Sequence, residues 1–186
     1  MNILIRSLQK EDLNIYKTCY SNSEFKHFIY GDKNIEIEDL FIRLLENANS
    51  HQESYVVFYN NDGLITTYNP VGFCNFLKYD YYPFEISKET FAINGGLQPI
   101  LFNSGLGIFS CASLLHFFFL NHPNSDLYAS AFEDNLRSAK MLCAFGFKQM
   151  EQTWYNKKHF ILNHERFSNC KFSSNILSRI TLVIET

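Results

Sequence analysis

The chain carries no excess of basic residues: 16 Lys and Arg stand against 19 Asp and Glu, a formal charge of −3. That excludes a broad positive face for gripping nucleic acid, so any anion must be bound locally. Its five cysteines, Cys19, Cys74, Cys111, Cys143 and Cys170, are odd in number and never form a Cys-x-x-Cys pair. The pattern argues against a zinc site or a disulfide framework and for reduced thiols in the cytoplasm, with no metal expected. No apolar run reaches the roughly 20 residues of a membrane span; the richest, residues 108–120, is too short and contains Ser and His. The opening Met1-Asn2-Ile3-Leu4-Ile5-Arg6 lacks the basic region, long apolar core and small-residue cleavage site of a secretory signal. Internal repeats and low-complexity segments are also absent.

What is present suits one globular domain: 186 residues, 46% of them apolar. Aromatic residues make up 17%, with 19 Phe and 11 Tyr, and they are spread along the chain as core residues are, not gathered as in a base-stacking platform.

Periodicity and turn residues then order the elements. Residues 3–6 form a short β-prone run, and Lys10-Glu11-Asp12-Leu13 places acidic residues in the first turn of a helix reaching about residue 21. Leu40, Leu44 and Leu45 share one face of a second helix over residues 36–48. Strands are expected at 54–59, ending at Asn60-Asn61-Asp62-Gly63, and at 71–79, with 63–70 either strand or loop. A further strand over 88–97, antiparallel to its predecessor, is interrupted by Gly95-Gly96, which suggests a bulge or a close backbone approach to a ligand. A helix over 107–120 stops at Asn121-His122-Pro123-Asn124. A strand at 127–132, a helix over 134–145 closed by Gly146, and a hairpin over 147–163 complete the domain. The tail beyond Arg166 is polar up to Ile180-Thr181-Leu182-Val183-Ile184, which suits an added edge strand or pairing with a second copy in a homodimer.

The segment Pro99-Ile100-Leu101-Phe102-Asn103-Ser104-Gly105-Leu106-Gly107 carries the most chemistry. It joins a strand to an apolar helix. Glycines at such a junction leave room for an anion against main-chain N–H groups whose dipoles point toward it. By itself Gly-x-Gly at a helix start is equally a tight turn. Downstream, Asn135-Leu136-Arg137-Ser138 opens a helix that closes on Phe145-Gly146-Phe147. The combination resembles the GNAT acetyltransferases, in which a strand is followed by Pro-x-x-(Gln or Arg)-x-x-Gly-x-Gly or Ala, then a helix, a strand, and Asn-x-x-(Ala or Ser) closing on Gly-Phe. Pro99, Gly105, Gly107, Asn135, Ser138, Gly146 and Phe147 match that spacing, and the resemblance spans roughly residues 3–165.

The resemblance implies a mixed α/β fold: one domain over residues 1–165 with a central, mostly antiparallel, twisted sheet of six to seven strands, about four flanking helices and splayed central strands. Residues 166–186 would be a C-terminal extension. It implies acetyl-CoA as co-substrate and an amine acceptor, a peptide N-terminus or a small amine. Asn103, Ser104, Gly105, Leu106, Gly107 and Ile108 would hold the CoA pyrophosphate through main-chain N–H groups. Gly95, Gly96 and Leu97 would pair with pantetheine as an added strand does, and Asn135, with Ser138, would serve the same arm.

Three residues depart from the pattern. Phe102 replaces the Gln or Arg of the turn. Leu142 stands where many members carry a Tyr that protonates the leaving thiolate, a feature similar to the branch that acetylates ribosomal-protein N-termini. Ala92 stands where that branch places a strand Glu. The chemistry requires a base for the amine and a donor for the oxyanion. A main-chain N–H near Leu97 suits the donor. Glu89, with Glu85, and Cys143 are the catalytic candidates, each with a plainer reading: a solvated carboxylate, or a small buried apolar residue. His116, His122, Tyr128 and Tyr155 are weaker candidates. A module that keeps the CoA cleft without catalysis is the alternative that the three departures motivate.

Overall fold

The fold is known from a computed structural model, which describes residues 1–30, 36–46, 52–60, 68–78 and 89–185. Ile3, Leu4 and Ile5 are all buried, as a strand covered on both faces requires, and they form β1 (Asn2–Ser7). A 3-10 turn (Lys10–Asp12) follows. There the buried Asp12 carboxylate pairs with Arg6 at 2.9 Å and accepts the Gln9 N–H at 2.8 Å, tying strand to helix. Next come α1 (Leu13–Tyr20), α2 (Ser23–Tyr30) and α3 (Ile37–Glu46), then β2 (Gln52–Asn60), β3 (Asn69–Lys78) and β4 (Thr90–Leu97). After the glycine turn run α4 (Leu106–Asn121), β5 (Asp126–Phe132), α5 (Leu136–Ala144), β6 (Lys148–Trp154) and β7 (Lys157–Leu162). The chain ends with α6 (His164–Ser168), α7 (Lys171–Leu177) and β8 (Thr181–Glu185).

The strands form one sheet in the order β6-β7-β5-β4-β3-β2-β1-β8. Every neighbouring pair is antiparallel except β4 with β5 and β1 with β8. The mixed, mostly antiparallel α/β domain is as expected, but the described residues hold eight strands and seven α-helices in place of six to seven and about four. The additions are α2, α6 and α7, while β8 is the edge strand that the apolar run at 180–184 allowed. The three helices span only eight, five and seven residues, too few turns for an apolar stripe to stand out. α6 already begins at His164, α7 packs on α4, and β8 extends the chain's own sheet beside β1. The stretch 61–67, the helix end at 47–48, the strand end at Tyr79, Lys88 and the candidate Glu85 lie outside the described residues.

Two cores flank the sheet. Phe73 and Cys74 are neighbours on β3 and therefore point to opposite faces. Phe73 belongs with Tyr16, Tyr20, Phe25, Phe41 and Leu44 of the first three helices. Cys74 belongs with the larger cluster that includes Leu115 and Phe118 of α4 and Leu127 of β5. α4 is apolar around its circumference and is buried accordingly. The sheet covers one side, and Phe119 stacks on Phe167 of α6 on another.

One irregularity opens the middle of the sheet. β4 pairs with β3 along its length, from Lys78↔Phe91 to Gly72↔Leu97. It pairs with β5 only at Thr90↔Asp126, Phe91↔Leu127 and Ala92↔Tyr128. Beyond Ala92 the two parallel strands part, leaving residues 93–97 with an open main-chain edge.

Candidate active site at the strand splay

A cleft of about 1620 Å³ occupies the splay. It exceeds the ~300–1,000 Å³ of ordinary small-molecule pockets, so it suits a long ligand. Its floor is β4 residues 92–97, one end is the turn before α4, and α5 and the β5–β7 face close the other sides.

The turn is built for main-chain donation. Asn103 and Gly105 take left-handed conformations, φ 65° and φ 83°. Left-handed residues near a helix start turn N–H groups into one concavity. Ser104 tightens the turn by donating to the Leu101 carbonyl at 2.7 Å and accepting the Leu106 N–H at 3.2 Å. A Cβ at Gly105 would meet nothing within 4 Å, so glycine is demanded there by φ and the concavity faces open space. Gly107 has a different reason: a Cβ there would lie 2.6 Å from Leu97 Cδ1. It sets the closeness of α4 to β4.

Asn103, Gly105, Gly107 and Ile108 line the cleft, as do Gly95, Gly96 and Leu97. Ser104 and Leu106 do not; Ser104 is exposed and Leu106 is buried beneath the turn. Gly96 also serves packing, since a Cβ there would overlap the Phe25 ring of α2 at 1.9 Å. Asn135 and Ser138 line the opposite wall, where Asn135 Oδ1 accepts the Ser138 N–H at 3.0 Å and caps α5. The α5 N-terminus therefore faces the same space as that of α4.

Two cations lie within and beside the Asn-x-x-Ser motif. Arg137 and Lys140, in the first turns of α5, line the cleft, and the Arg137 guanidinium lies over the Phe102 ring, 5.8 Å from its centroid. The side chain that breaks the turn's pattern is thus the seat for a positive charge supplied by α5. Arg137 stands between Asn135 and Ser138, so its position is visible in the sequence; its proximity to Phe102 is not. The buried Ser110 on α4 also lines the cleft, and its Oγ has no hydrogen-bond partner among the described residues.

The catalytic candidates fall elsewhere. Glu89 precedes β4 at its paired end, away from the cleft lining, with Lys78 Nζ at 2.6 Å and the Ser125 hydroxyl donating at 3.0 Å. The lysine hydrogen bond, then the serine, hold its carboxyl below the usual value, which makes it a poorer base. Cys143 is exposed on α5, neither buried as its plain reading expects nor part of the cleft. His116 and His122 are outside the cleft as well; His122 bonds Glu53 at 3.0 Å. Leu142 does line it, and so do Tyr128, Tyr155 and the buried His159, a residue the sequence does not single out. Tyr128 Oη is hydrogen-bonded to His159 Nδ1.

The sequence matches the acetyltransferase (GNAT) domain family over residues 2–148. The chain belongs to the GNAT acetyltransferase family. No curated protein matches it significantly. Solved structures resemble this GNAT domain closely in fold at low identity. Spermidine N-acetyltransferase from Vibrio cholerae with CoA and spermine superposes with a TM-score of 0.72 at 12% identity, covering 90% of this chain and 99% of that one. Aminoglycoside acetyltransferase AAC(6')-Ib with coenzyme A gives 0.71 at 16%, covering 90% and 98%. A domain from Methanocaldococcus jannaschii gives 0.68 at 20%, covering 87% and 98%. These likenesses establish the fold; a ribosomal-protein branch is not singled out among them. The residues present are compatible with CoA, the co-substrate of the GNAT family: the cleft offers an open concavity at Gly105, two nearby cations, and a buried Ser110 hydroxyl with no partner among the described residues.

Proposed function

We propose that this chain is an acetyl-CoA-dependent N-acetyltransferase that acetylates a primary amine by direct attack in a ternary complex. The observation that carries the reading is the parting of β4 from β5 next to the donor-rich turn of α4. One site thereby holds phosphates at one end and offers an unpaired strand edge along its length. The bound co-substrate supplies an acetyl thioester. Main-chain N–H groups of Asn103, Gly105 and Gly107, aided by Arg137, hold the pyrophosphate, since those of Ser104, Leu106 and Ile108 are taken up within the turn, and the open edge at residues 95–97 orients pantetheine. Asn135 and Ser138 hold the α5 terminus toward the same arm. A main-chain N–H near Leu97 is positioned to meet the developing oxyanion.

The acceptor reaches the splay from the sheet face opposite α4. Phe25 and Phe28 of α2 form an apolar wall there, and the exposed carboxylates of Glu24 and of Asp134, whose Oδ2 lies 3.3 Å from His27 Nε2, stand at its rim. Carboxylates at the rim favour a cationic small amine over a neutral acceptor, in line with the spermidine and aminoglycoside enzymes that share the fold. Five free thiols suit the reducing environment of the cytoplasm. No helix among the described residues is long and apolar enough to cross a membrane.

The test is release of free CoA from acetyl-CoA with a panel of polyamines, aminoglycosides and N-terminal peptides, beside calorimetric CoA binding. Turnover with an amine supports the proposal. Binding without turnover favours the alternative of a CoA-binding module, which Leu142 in the cleft wall and Glu89 outside it motivate. No binding removes both.

A further inference from the structure

The departures at Ala92 and Leu142 leave the reaction without the side chains expected to move its protons, so the cleft wall must supply them from another element. Its titratable members divide clearly. Arg137 and Lys140 lie on the phosphate side. Glu24, Asp134 and Tyr155 are exposed at the rim, and Lys157 is engaged over the Phe132 ring, 4.4 Å from its centroid. Cys74 and Cys111 have their thiols pushed up by burial and keep their protons. Tyr128 and His159 remain.

Their place in the sheet is specific. Tyr128 faces Ala92 in the last pair before β4 and β5 separate, so its side chain stands at the vertex of the splay. Ser130 is paired with His159 of β7, and residues two apart on a strand share a face, so Tyr128, Ser130 and His159 lie together. That face carries Ala92 and Asn94 too, whereas Leu127, Ala129 and Ala131 turn toward α4. The two rings meet edge to edge through the hydrogen bond between Oη and Nδ1, with centroids 5.8 Å apart and planes 20° from parallel. His159 is 4% exposed, while Tyr128 is half-buried and reaches the cleft. A shielded imidazole bonded to a phenol at the cleft surface can store a proton and exchange it with a bound group through that phenol.

We infer that Tyr128 and His159 form the proton relay of the transfer. Tyr128 Oη accepts a proton from the acceptor ammonium as its own proton passes to His159 Nδ1, and the imidazolium later returns that proton to Oη, which releases one to solvent in the cleft. The freed nitrogen lone pair forms the C–N bond and the C–S bond breaks with its electron pair on sulfur. Tyr128 and His159 take the second nitrogen proton by the same route, and Oη delivers it to the sulfur. Two protons leave the nitrogen, one ending on sulfur and one in solvent.

The inference rests on the acetyltransferase reading, and its test separates the two. Tyr128→Phe removes the hydroxyl; His159→Asn keeps an acceptor near the Nδ1 position but cannot store a proton. The relay predicts a kcat loss of ~10²–10⁴-fold in each, with KM values and calorimetric CoA affinity within about twofold of the parent. Imidazole ¹⁵N spectra should show the His159 Nδ1 signal shifting in Tyr128→Phe. If either variant misfolds, 3,5-difluorotyrosine at position 128 acidifies the phenol in an intact fold, and kcat should change while CoA affinity does not. Unchanged kcat in the folded variants or the fluorinated protein overturns the relay while leaving the acetyltransferase in place. A parent protein that fails to bind CoA, or binds it without turnover on any amine, overturns the acetyltransferase and the relay with it.

Discussion

The two ends of β4 behave as different materials. At its start, residues 91 and 92 are paired with strands on both sides, Phe91 is buried against Phe118 and His122, and Glu89 is held by Lys78 and Ser125. At its end one edge is open, the glycines keep side chains away, and the main chain runs straight into the turn of α4. The first end commits its polar groups to the fold; the second leaves one main-chain edge without a strand partner among the described residues. A charged residue near a cleft in sequence is therefore a weaker guide to function than a strand that has lost a partner.

Substitutions at the two ends should separate stability from binding. Phe91→Ala opens a cavity at the closed end and should cost ~3–5 kcal/mol of unfolding free energy, read by urea denaturation, while the folded fraction keeps its CoA affinity. Gly105→Val forces a β-branched residue to the φ of 83° and should cost ~1–3 kcal/mol in stability, with CoA affinity falling at least about tenfold by calorimetry. Asn135→Ala removes the α5 cap and should cost ~1 kcal/mol, with a smaller weakening of CoA binding.

Glu89→Gln should do least: no more than ~1 kcal/mol, because the ion pair is solvent-exposed, and no loss of acetyl transfer. Its signature is in pH. The Glu89 carboxyl is lowered in the folded protein, so its contribution is complete above the ordinary value of 4.5 and is lost as the pH falls through the lower folded value. The glutamine variant should lack that part of the acid limb in a stability profile. A large activity loss in Glu89→Gln would erase the contrast between the ends.

Local signals carried most of the architecture. The strands, the long helix α4 and the capped helix α5 follow from alternation, apolar runs and Gly, Pro or Asn punctuation, and the glycine turn with Asn135 and Ser138 marked the cleft. What escaped depends on long-range contact. α6 and α7 look polar alone, yet α4 is apolar all round and needs a cover beyond the sheet, which Phe167 helps to provide. Arg137 lies over the Phe102 ring from a helix 35 positions on, a proximity visible only after folding. Tyr128 and His159 meet across two strands with no spacing signature, and Glu89 is set aside by Lys78 and Ser125, which lie near it only in the sheet.

The most direct test of the central claim, that the open end of β4 and its turn bind acetyl-CoA, is a calorimetric titration of CoA into the parent protein, Phe91→Ala and Gly105→Val in parallel. Saturable one-to-one binding should appear in the parent and persist in folded Phe91→Ala, with stabilisation of about 2.7 kcal/mol at a hundred times the Kd, and should collapse in Gly105→Val. Absence of binding in the parent, or equal affinity in Gly105→Val, would contradict it.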